Sequence, residues 1–303
     1  MHQSRITPKK KLVQSNKYIR SMSLDLRPIW QAVKYWPYYL WASIRFPGYK
    51  PQPITLKRFA NWFGQFDHKE ARAILNLLGQ VIYITEKQTE SFLVELNTSL
   101  LRRLSQEDIE LNKIIYVQMH DPGSSSPVML NMLRDRGRLE RKGCRFIDWK
   151  NVQGFSDAMS ELGQGAIIYV DDFSGSGHQF CQVRDYLSQY IVGTFAEFFL
   201  LPCICEEALI ELDVQGVQPV AQMRLSKIDR PLHPDSTILE STIKNRLTEI
   251  CRQIDKKGAL GYRGLATMVV FYRNSPTSLP VIFRGCVKQK PWIGIFPRTT
   301  DLP

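Results

Sequence analysis

An apolar run that ends in two acidic residues is the strongest chemical signal in the sequence. Residues 166–170 (Ala-Ile-Ile-Tyr-Val) predict a buried strand, and Asp171 and Asp172 follow it directly. Two adjacent carboxylates repel each other and are unfavourable in a dry core, whereas ribose hydroxyls or a divalent cation stabilise their charged form. We therefore predict that both side chains meet a ligand at the carboxyl end of a parallel strand.

The segment after these carboxylates has the composition of an anion-binding loop. Glycines allow a backbone to approach a ligand closely, and the first turn of a helix presents free N–H groups with a partial positive charge. A predicted helix begins at the end of this loop. The predicted phosphate-binding residues are therefore Ser174, Gly175, Ser176, Gly177 and His178.

A second polar loop follows the predicted strand Ile114–Gln118 and leads into another predicted helix. Its candidate ligand-binding residues are Gly123, Ser124, Ser125 and Ser126. Serine hydroxyls and helix N–H groups can bind an anion, but serines before a helix are also common caps. The residues by themselves leave both interpretations open.

The elements predicted after residue 113 would bring these two loops together. Short apolar runs alternate with amphipathic stretches, which is typical of an α/β fold with a Rossmann-like parallel sheet. The predicted strands are 114–118, 144–149, 166–170, 194–201, 266–272 and 280–284. The predicted helices are 127–136, 177–190, 206–211 and 236–255.

The whole chain divides into three predicted regions. They are a basic, aromatic N-terminal arm over 1–50, a helical module over 51–108 and the α/β domain over 109–303. In the helical module, Thr55 and Asp67 precede apolar residues at helical spacing and are predicted N-caps. Thr85 and Thr89 precede a third run of this kind. Three short helices fit a winged-helix-like reader of nucleic acid, and they fit a simple packing unit equally well.

Charge and composition restrict the classes of protein to consider. Residues 1–50 contain ten Lys or Arg and one acidic residue, so this arm carries +9 of the net charge of +11. This charge fits docking to RNA, DNA or a partner protein, and it fits a solvated tail equally well. Six dispersed cysteines without a C-x-x-C pair argue against a zinc site. No segment has the composition of a membrane span or a secretory signal, so we expect a cytoplasmic protein.

The motif at residues 167–179 (Ile-Ile-Tyr-Val-Asp-Asp-Phe-Ser-Gly-Ser-Gly-His-Gln) resembles the signature of the phosphoribosyltransferase fold. That signature has four apolar residues, two acids and a Thr/Ser/Gly phosphate loop. The C-terminal stretch 290–298, together with 260–262 and 276–283, is similar to the conflict-element subgroup of these proteins. This subgroup is associated with bacterial antiphage systems, including retrons with a reverse transcriptase. The sequence departs from the pattern at Gly175 and Gln179, where threonines are usual.

The resemblance implies a role for each candidate residue. Asp171 and Asp172 would hold the 2- and 3-hydroxyls of a phosphoribosyl group, and the loop 174–178 would hold its 5-phosphate. Residues 123–126 would bind pyrophosphate, and Mg²⁺ would bridge the diphosphate with only indirect contact to the two carboxylates. Near the C-terminus, Trp292 and Phe296 would stack on a base and Arg298 would contact phosphate, although core packing explains the aromatic residues equally well.

The implied function is binding of a ribose-phosphate ligand, either phosphoribosyl diphosphate or a nucleotide, in antiphage defence. As an enzyme, the protein would be a phosphoribosyltransferase or would cleave nucleotides at the anomeric carbon. Asp171 or Asp172 would then stabilise an oxocarbenium-like transition state or act as a general base. The alternative is a non-catalytic subunit that senses a nucleotide, or that binds nucleic acid or a reverse transcriptase through the basic arm.

Overall fold

The computed structural model describes residues 27–120, 124–285 and 292–301. In chain order, its α-helices are α1 (Arg27–Arg45), α2 (Leu56–Phe63), α3 (Ala71–Gly79), α4 (Glu86–Gln106), α5 (Ser125–Gly137), α6 (Val152–Leu162), α7 (His178–Ser188), α8 (Glu206–Val214) and α9 (Ser241–Ile254). The strands are β1 (Ile82–Ile84), β2 (Ile114–Gln118), β3 (Arg145–Asp148), β4 (Gln164–Val170), β5 (Phe173–Ser174), β6 (Thr194–Cys205), β7 (Gln218–Leu225) and β8 (Val269–Phe271).

The main sheet runs in the order β3-β2-β4-β6-β7, and all of its strand pairs are parallel. The short strand β5 continues the line of β4 along β6, because Val170 pairs with Leu200 and Phe173 pairs with Cys203. Asp171 and Asp172 are therefore the two residues between β4 and β5. The backbone N–H of Asp171 donates to the carbonyl of Leu200 at 3.2 Å, which holds this junction against β6.

Helices cover both faces of the main sheet, as the continuous apolar runs in its strands require. Along β4, Ile167 and Tyr169 pack in one core with residues of α6, α7 and α8. Ile168 and Val170 pack in another core with residues of α4 and α5. This architecture confirms the predicted α/β class with a Rossmann-like parallel sheet.

The N-terminal helices share their core with the C-terminal part of the chain. Phe46 and Trp62 are buried beside Phe283 and Phe296 in one hydrophobic cluster. In addition, β1 pairs in parallel with β8, which is separated from it by most of the sequence. The predicted division at residues 50 and 108 remains a prediction, but the packing joins residues on both sides of those positions.

Several predicted elements agree with the structure at their ends. Strand β2 has the predicted bounds. The hydroxyl of Thr55 accepts from the N–H of Arg58 and caps α2, and Thr85 forms a capping box with Gln88 at the start of α4. Among the residues that the structure describes, no helix is both long and apolar enough to cross a membrane.

Other predicted elements were wrong for identifiable reasons. Asp67 does not cap α3. The helix begins at Ala71, and its N-cap is Glu70, three residues after Asp67. Residues 280–284 form turns rather than a strand, and their apolar side chains reflect burial in the core shared with the N-terminal helices. Strand β7 was missed because it has a single strand neighbour, β6, mixes polar and apolar residues and has a proline at its second position.

Candidate functional site

A cavity of about 500 Å³ opens beside the carboxyl ends of β2 and β4. It brings together most of the predicted site residues: Ser124, Ser125, Asp171, Asp172, Ser174, Gly175, Ser176, Gly177, His178 and Arg298. Gly123 lies outside the described residues, and Ser126 does not line the cavity. The two predicted loops therefore meet at one place, as the parallel sheet requires.

The two carboxylates differ in their surroundings. Asp171 is 5% exposed, and its Oδ1 atom accepts hydrogen bonds from the Ser125 hydroxyl at 2.5 Å and the Asp172 N–H at 2.9 Å. Its Oδ2 atom lies 3.4 Å from Nδ1 of His120. Asp172 is half-buried and lines the same cavity. Asp171 is thus held by protein groups, whereas Asp172 is more accessible to a ligand.

Burial raises the pKa of both carboxyl groups, because a low-dielectric environment disfavours their charged form. Repulsion from Asp171 raises the pKa of Asp172 further, while the positive charge of Arg273 lowers the pKa of each. The hydrogen bond from Ser125 also lowers the pKa of Asp171. A ligand that brings hydroxyl donors or a cation would stabilise the two negative charges, so the pair is suited to such a ligand.

The loop before α7 is shaped by its glycines. Gly177 is the N-cap of α7 and has φ of +74°, and a Cβ atom there would lie 2.9 Å from the Cβ of Glu211. A Cβ atom on Gly175 would lie 2.9 Å from Cδ1 of Leu265. Glycine is therefore required at Gly177, where φ is positive and the Cβ of Glu211 is close, whereas the end of the Leu265 side chain could move away from a Cβ atom at Gly175. The first turn of α7 leaves backbone N–H groups without partners inside the helix, beside the cavity.

A second helix begins at the same cavity. Ser124 is the N-cap of α5, and Ser124 and Ser125 both line the cavity. Ser126 is fully buried, and its hydroxyl accepts from the N–H of Met119 at 2.9 Å, which ties α5 to the end of β2. Two helix N-termini, each with partial positive charge, thus converge on one space beside the carboxylate pair.

The C-terminal candidates separate into two groups. Arg298 lines the cavity and donates to the carbonyl of Ser275 at 3.0 Å. Phe296 is fully buried, with its ring 5.0 Å from that of Phe46, and the ring of Trp292 lies 5.5 Å from that of Phe66. The structure does not bring Trp292 and Phe296 to the cavity, in agreement with the alternative of core packing.

Tyr262 and Arg273 are among the residues at the cavity that were not identified as site candidates from the sequence. Tyr262 is 43% exposed and provides an aromatic ring at the edge of the cavity. Arg273 follows β8, lines the cavity and lowers the pKa of both carboxyl groups through its positive charge. A single arginine after the apolar run 268–272 was the available signal. The residues that lie near Arg273 in space, however, depend on the pairing of β8 with β1, which no local pattern in the sequence predicts.

Residues of the N-terminal region contact Tyr272, the neighbour of Arg273. The N–H of Tyr272 donates to the carbonyl of Ile84 at 2.9 Å, and its carbonyl accepts from the N–H of Lys50 at 2.7 Å. The Lys50 ammonium lies 4.7 Å from the centre of the Tyr272 ring and 2.7 Å from Glu86 Oε1. Residues before β2 therefore contact the segment that carries Arg273 to the cavity.

The donor set permits a cation only together with a ligand. Within the described ranges, no group of three or more His, Cys, Asp or Glu side chains could hold a metal ion. The described cysteines are free thiols, and most are buried. Asp171 and Asp172 would contact Mg²⁺ only indirectly, through water, and the oxygens of a diphosphate would supply its other ligands.

Comparison with known proteins gives one family match. The sequence profile described as PRTase-CE matches residues 59–298. Among curated proteins, no match was found. Similar solved structures include orotate phosphoribosyltransferase from Aeropyrum pernix, with 18% identity, a TM-score of 0.31 and coverage of 49% of this chain and 74% of that chain. They also include HGPRT-ase from Leishmania tarentolae in complex with GMP, with 11% identity, a TM-score of 0.30 and coverage of 49% and 82%. Since both TM-scores are low, the family assignment depends on the profile match.

Proposed function

The chain belongs to the PRTase-CE family of conflict-element phosphoribosyltransferases, and from this premise we propose that its cavity binds a ribose-phosphate ligand, either phosphoribosyl diphosphate or a nucleotide. One observation carries the proposal. The carboxylate pair Asp171 and Asp172 and the N-terminus of α7 line the same cavity. A sugar with vicinal hydroxyls and a phosphate on its exocyclic carbon has the complementary groups.

Each part of the ligand has a partner of suitable chemistry. The ribose hydroxyls would donate hydrogen bonds to Asp171 and Asp172, whose charges are otherwise disfavoured by burial. The 5-phosphate would accept from the backbone of the loop 174–177 and the first turn of α7. A diphosphate on the anomeric carbon would lie towards Ser124 and Ser125 at the start of α5.

The reaction that fits these partners is transfer at the anomeric carbon. The bond from this carbon to the diphosphate oxygen breaks, the electron pair leaves with pyrophosphate, and a nucleophilic nitrogen or oxygen forms the new bond. When bound with the diphosphate, Mg²⁺ would neutralise part of the charge on the leaving group. Asp172 would stabilise positive charge on the ribose ring, and its raised pKa suits acceptance of a proton near neutral pH.

Calorimetric titration with phosphoribosyl diphosphate and Mg²⁺ tests the binding site, and the common nucleotides should be titrated in parallel. We expect saturable binding by the wild-type chain, loss of affinity in Asp172→Asn and unchanged affinity in Asp135→Asn. Asp135 is a suitable control because its side chain is 71% exposed on α5. Absence of saturable binding for every one of these ligands by a folded wild-type chain would overturn the proposal.

Product analysis then separates the two functional classes that share this site. Release of pyrophosphate or of a free base, with loss of this activity in Asp172→Asn, would identify an enzyme. Saturable binding without any product would identify a nucleotide-sensing subunit, which is the alternative on the same fold. Both outcomes support the ribose-phosphate site, because both require the same contacts with the ligand.

The proposed biological role is cytoplasmic antiphage defence, and it follows from family membership rather than from the geometry. The test is plaque formation on bacteria that express the chain together with its neighbouring genes. We expect fewer plaques with the wild-type chain than with Asp172→Asn at equal protein levels. Equal plaque numbers across a broad panel of phages would exclude this role and would leave the binding proposal intact.

A further inference from the structure

A second cavity, of about 680 Å³, lies between α1 and the segment that joins α2 to α3. We call it the aromatic groove, and its lining includes Lys34, Tyr35, Tyr38, Trp41, Phe63 and Arg72. It shares no lining residue with the candidate ribose-phosphate site. A function of the groove would therefore go beyond the function proposed above.

The groove presents aromatic rings to solvent on a rigid base. Phe63 is 5% exposed, and the rings of Tyr35 and Tyr38 lie 5.4 Å and 6.0 Å from its ring. Tyr38 and Trp41 nevertheless remain 46% and 39% exposed. Large exposed aromatic side chains in a concave site are typical of binding surfaces, because their flat faces can stack on a ligand.

The charge of the groove has one sign. Among the described residues that line it, the basic side chains are Lys34, His68 and Arg72, and none is Asp or Glu. Lys34, His68 and Arg72 are all exposed, and the Lys34 ammonium lies 5.5 Å from the centre of the Tyr35 ring. The groove therefore combines stacking surfaces with cations at its edge.

The N-terminal part of the chain, which includes the groove, also carries a net positive charge. Residues 1–76 contain 14 Lys or Arg and 3 Asp or Glu, which gives 14 − 3 = +11. Residues 77–303 contain 26 Lys or Arg and 26 Asp or Glu, which gives zero. The whole net charge of the protein thus belongs to the region that forms the groove and to the residues that precede α1.

We propose that the aromatic groove binds single-stranded nucleic acid, with bases stacked on Tyr38 and Trp41 and phosphates in contact with Lys34 and Arg72. Unpaired bases are required, because a base inside a double helix has no free face for these rings. The charge complementarity with a phosphate backbone argues for this occupant over an uncharged protein surface. Residues 1–26 are excluded as occupant, since they carry six basic residues against one acid and would be repelled.

Fluorescence anisotropy with the full-length chain tests this proposal. The probes are labelled oligo-dT and oligo-U of about 15 nucleotides, a length that covers the site sizes of known single-strand binders, and a duplex of the same length. We expect binding of the single strands at low salt, weaker binding of the duplex and a steep loss of affinity as salt increases. Phosphoribosyl diphosphate should not compete, because the two cavities have no residue in common.

The stacking contribution is tested by Tyr38→Ala combined with Trp41→Ala. We expect affinity for the single strand to fall about tenfold or more, since stacked bases lose this much when their ring partner is removed. Trp41→Phe keeps an aromatic face and should retain most of the affinity. Tyr186→Ala is the matched control, because Tyr186 is 40% exposed but lies on α7, away from the groove lining.

The phosphate contacts are tested by Lys34→Gln combined with Arg72→Gln. Loss of two contacts should reduce the slope of log affinity against log salt by about 1.4 for a single strand. Lys87→Gln combined with Arg102→Gln is the control for charge alone, since both residues are exposed on α4, outside the groove. An equal change in this control variant would show that only net charge matters and would contradict the proposal.

Two further results would overturn it. One is failure of the folded wild-type chain to bind any oligonucleotide at low salt, which would leave a protein partner as the occupant of the groove. The other is unchanged affinity in the Tyr38→Ala, Trp41→Ala variant with a native circular-dichroism spectrum. Both results leave the ribose-phosphate site untouched, because its ligand titration is a separate measurement.

Discussion

The Ser125 hydroxyl donates a hydrogen bond of 2.5 Å to Oδ1 of Asp171 and so joins the first residue of α5 to the residue that follows β4. This bond lowers the pKa of Asp171, which burial otherwise raises. The proposed ribose-phosphate site therefore depends on contact between its two loops as well as on each loop separately.

Ser125→Ala should weaken binding of phosphoribosyl diphosphate most strongly at the acidic end of the pH range. Without the hydroxyl donor the pKa of Asp171 rises, so that more of this carboxyl is protonated near pH 6 and fewer acceptors remain for the ligand. A hydrogen bond to a charged group contributes about 1.5–3 kcal/mol, which corresponds to a loss of about tenfold or more in affinity. The measurement is the dissociation constant between pH 6 and pH 8.5.

Ser188→Ala is the control for this variant, because the Ser188 hydroxyl also donates a single hydrogen bond, at 2.7 Å to the carbonyl of Asp185, but is remote from the cavity lining. Its dissociation constant should match that of the wild-type chain at every pH. If Ser125→Ala weakened binding by the same factor across the whole range, the hydroxyl would contact the ligand directly rather than act through Asp171.

The sequence was sufficient to predict which residues lie together where they are close in the chain. Asp171, Asp172 and the loop before α7 are adjacent in the chain, so their association required only the identification of β4 and α7. The second loop could be added because parallel strands end at the same edge of a sheet. The structure brings Ser124 and Ser125 to the cavity on this basis.

Contacts between distant segments were not predictable in the same way. Arg273 reaches the cavity because β8 pairs with β1, and a three-residue strand has too short a pattern to indicate its partner. Phe296 was considered as a base-stacking residue because the identity of a residue does not show whether its ring is exposed or buried. Its burial depends on Phe46 and Tyr49, which are about 250 residues earlier in the chain.

Gly177→Ala should abolish phosphate binding and should also destabilise the fold. The new Cβ atom would meet Glu211 at 2.9 Å while the residue is held at φ of +74°, so the start of α7 must shift. Gly163→Ala is a matched control, since Gly163 has φ of +65° with no atom within 4 Å of its Cβ position. Each variant should lose about 1 kcal/mol of unfolding free energy from its backbone conformation.

Urea unfolding and ligand titration distinguish the two glycine variants. Gly177→Ala should lose more unfolding free energy than Gly163→Ala, and it alone should lose affinity for the ligand. Equal affinity in the two variants would show that the N-terminus of α7 does not bind the phosphate.

Asp172→Asn should stabilise the free protein at pH 8 more than at pH 5. The pKa of Asp172 is raised in the folded chain from 3.8 to about 7, so the folded state binds more protons than the unfolded state within this interval. The protonated Asp172 side chain therefore makes its full contribution to stability below pH 3.8. This contribution is lost as the pH rises through about 7, the pKa of Asp172 in the folded chain. The amide removes the penalty of the buried charge, and we expect a gain on the order of 2 kcal/mol at pH 8.

Urea unfolding at the two pH values measures this difference, with Asp135→Asn as the exposed control. The control should change the unfolding free energy by the same small amount at both pH values, because its side chain is 71% exposed. A stabilisation of Asp172→Asn that did not depend on pH would indicate a packing effect instead of the removal of a charge.

Arg273→Gln should weaken binding of phosphoribosyl diphosphate at neutral pH, and Arg273→Lys should restore much of the affinity. The guanidinium lowers the pKa of Asp171 and Asp172, so its loss raises the pKa of both and moves the pH midpoint of binding upwards. A lysine retains the charge but not the planar donor group, which separates an electrostatic role from direct hydrogen bonding to the ligand. Arg224 is exposed on β7, so Arg224→Gln should leave the pH midpoint of binding unchanged.

Lys50→Met extends this prediction to the N-terminal region. The Lys50–Glu86 ion pair is half exposed at both ends and contributes less than about 1 kcal/mol to stability, so the variant should unfold nearly as the wild-type chain does. The ammonium nevertheless packs on the ring of Tyr272, the residue before Arg273. If this contact positions the guanidinium, Lys50→Met shifts the pH midpoint in the same direction as Arg273→Gln, and Lys50→Arg restores it. An unchanged midpoint with unchanged stability would restrict the role of the N-terminal residues to packing, because their contact with Tyr272 would then have no effect on the carboxylate pair.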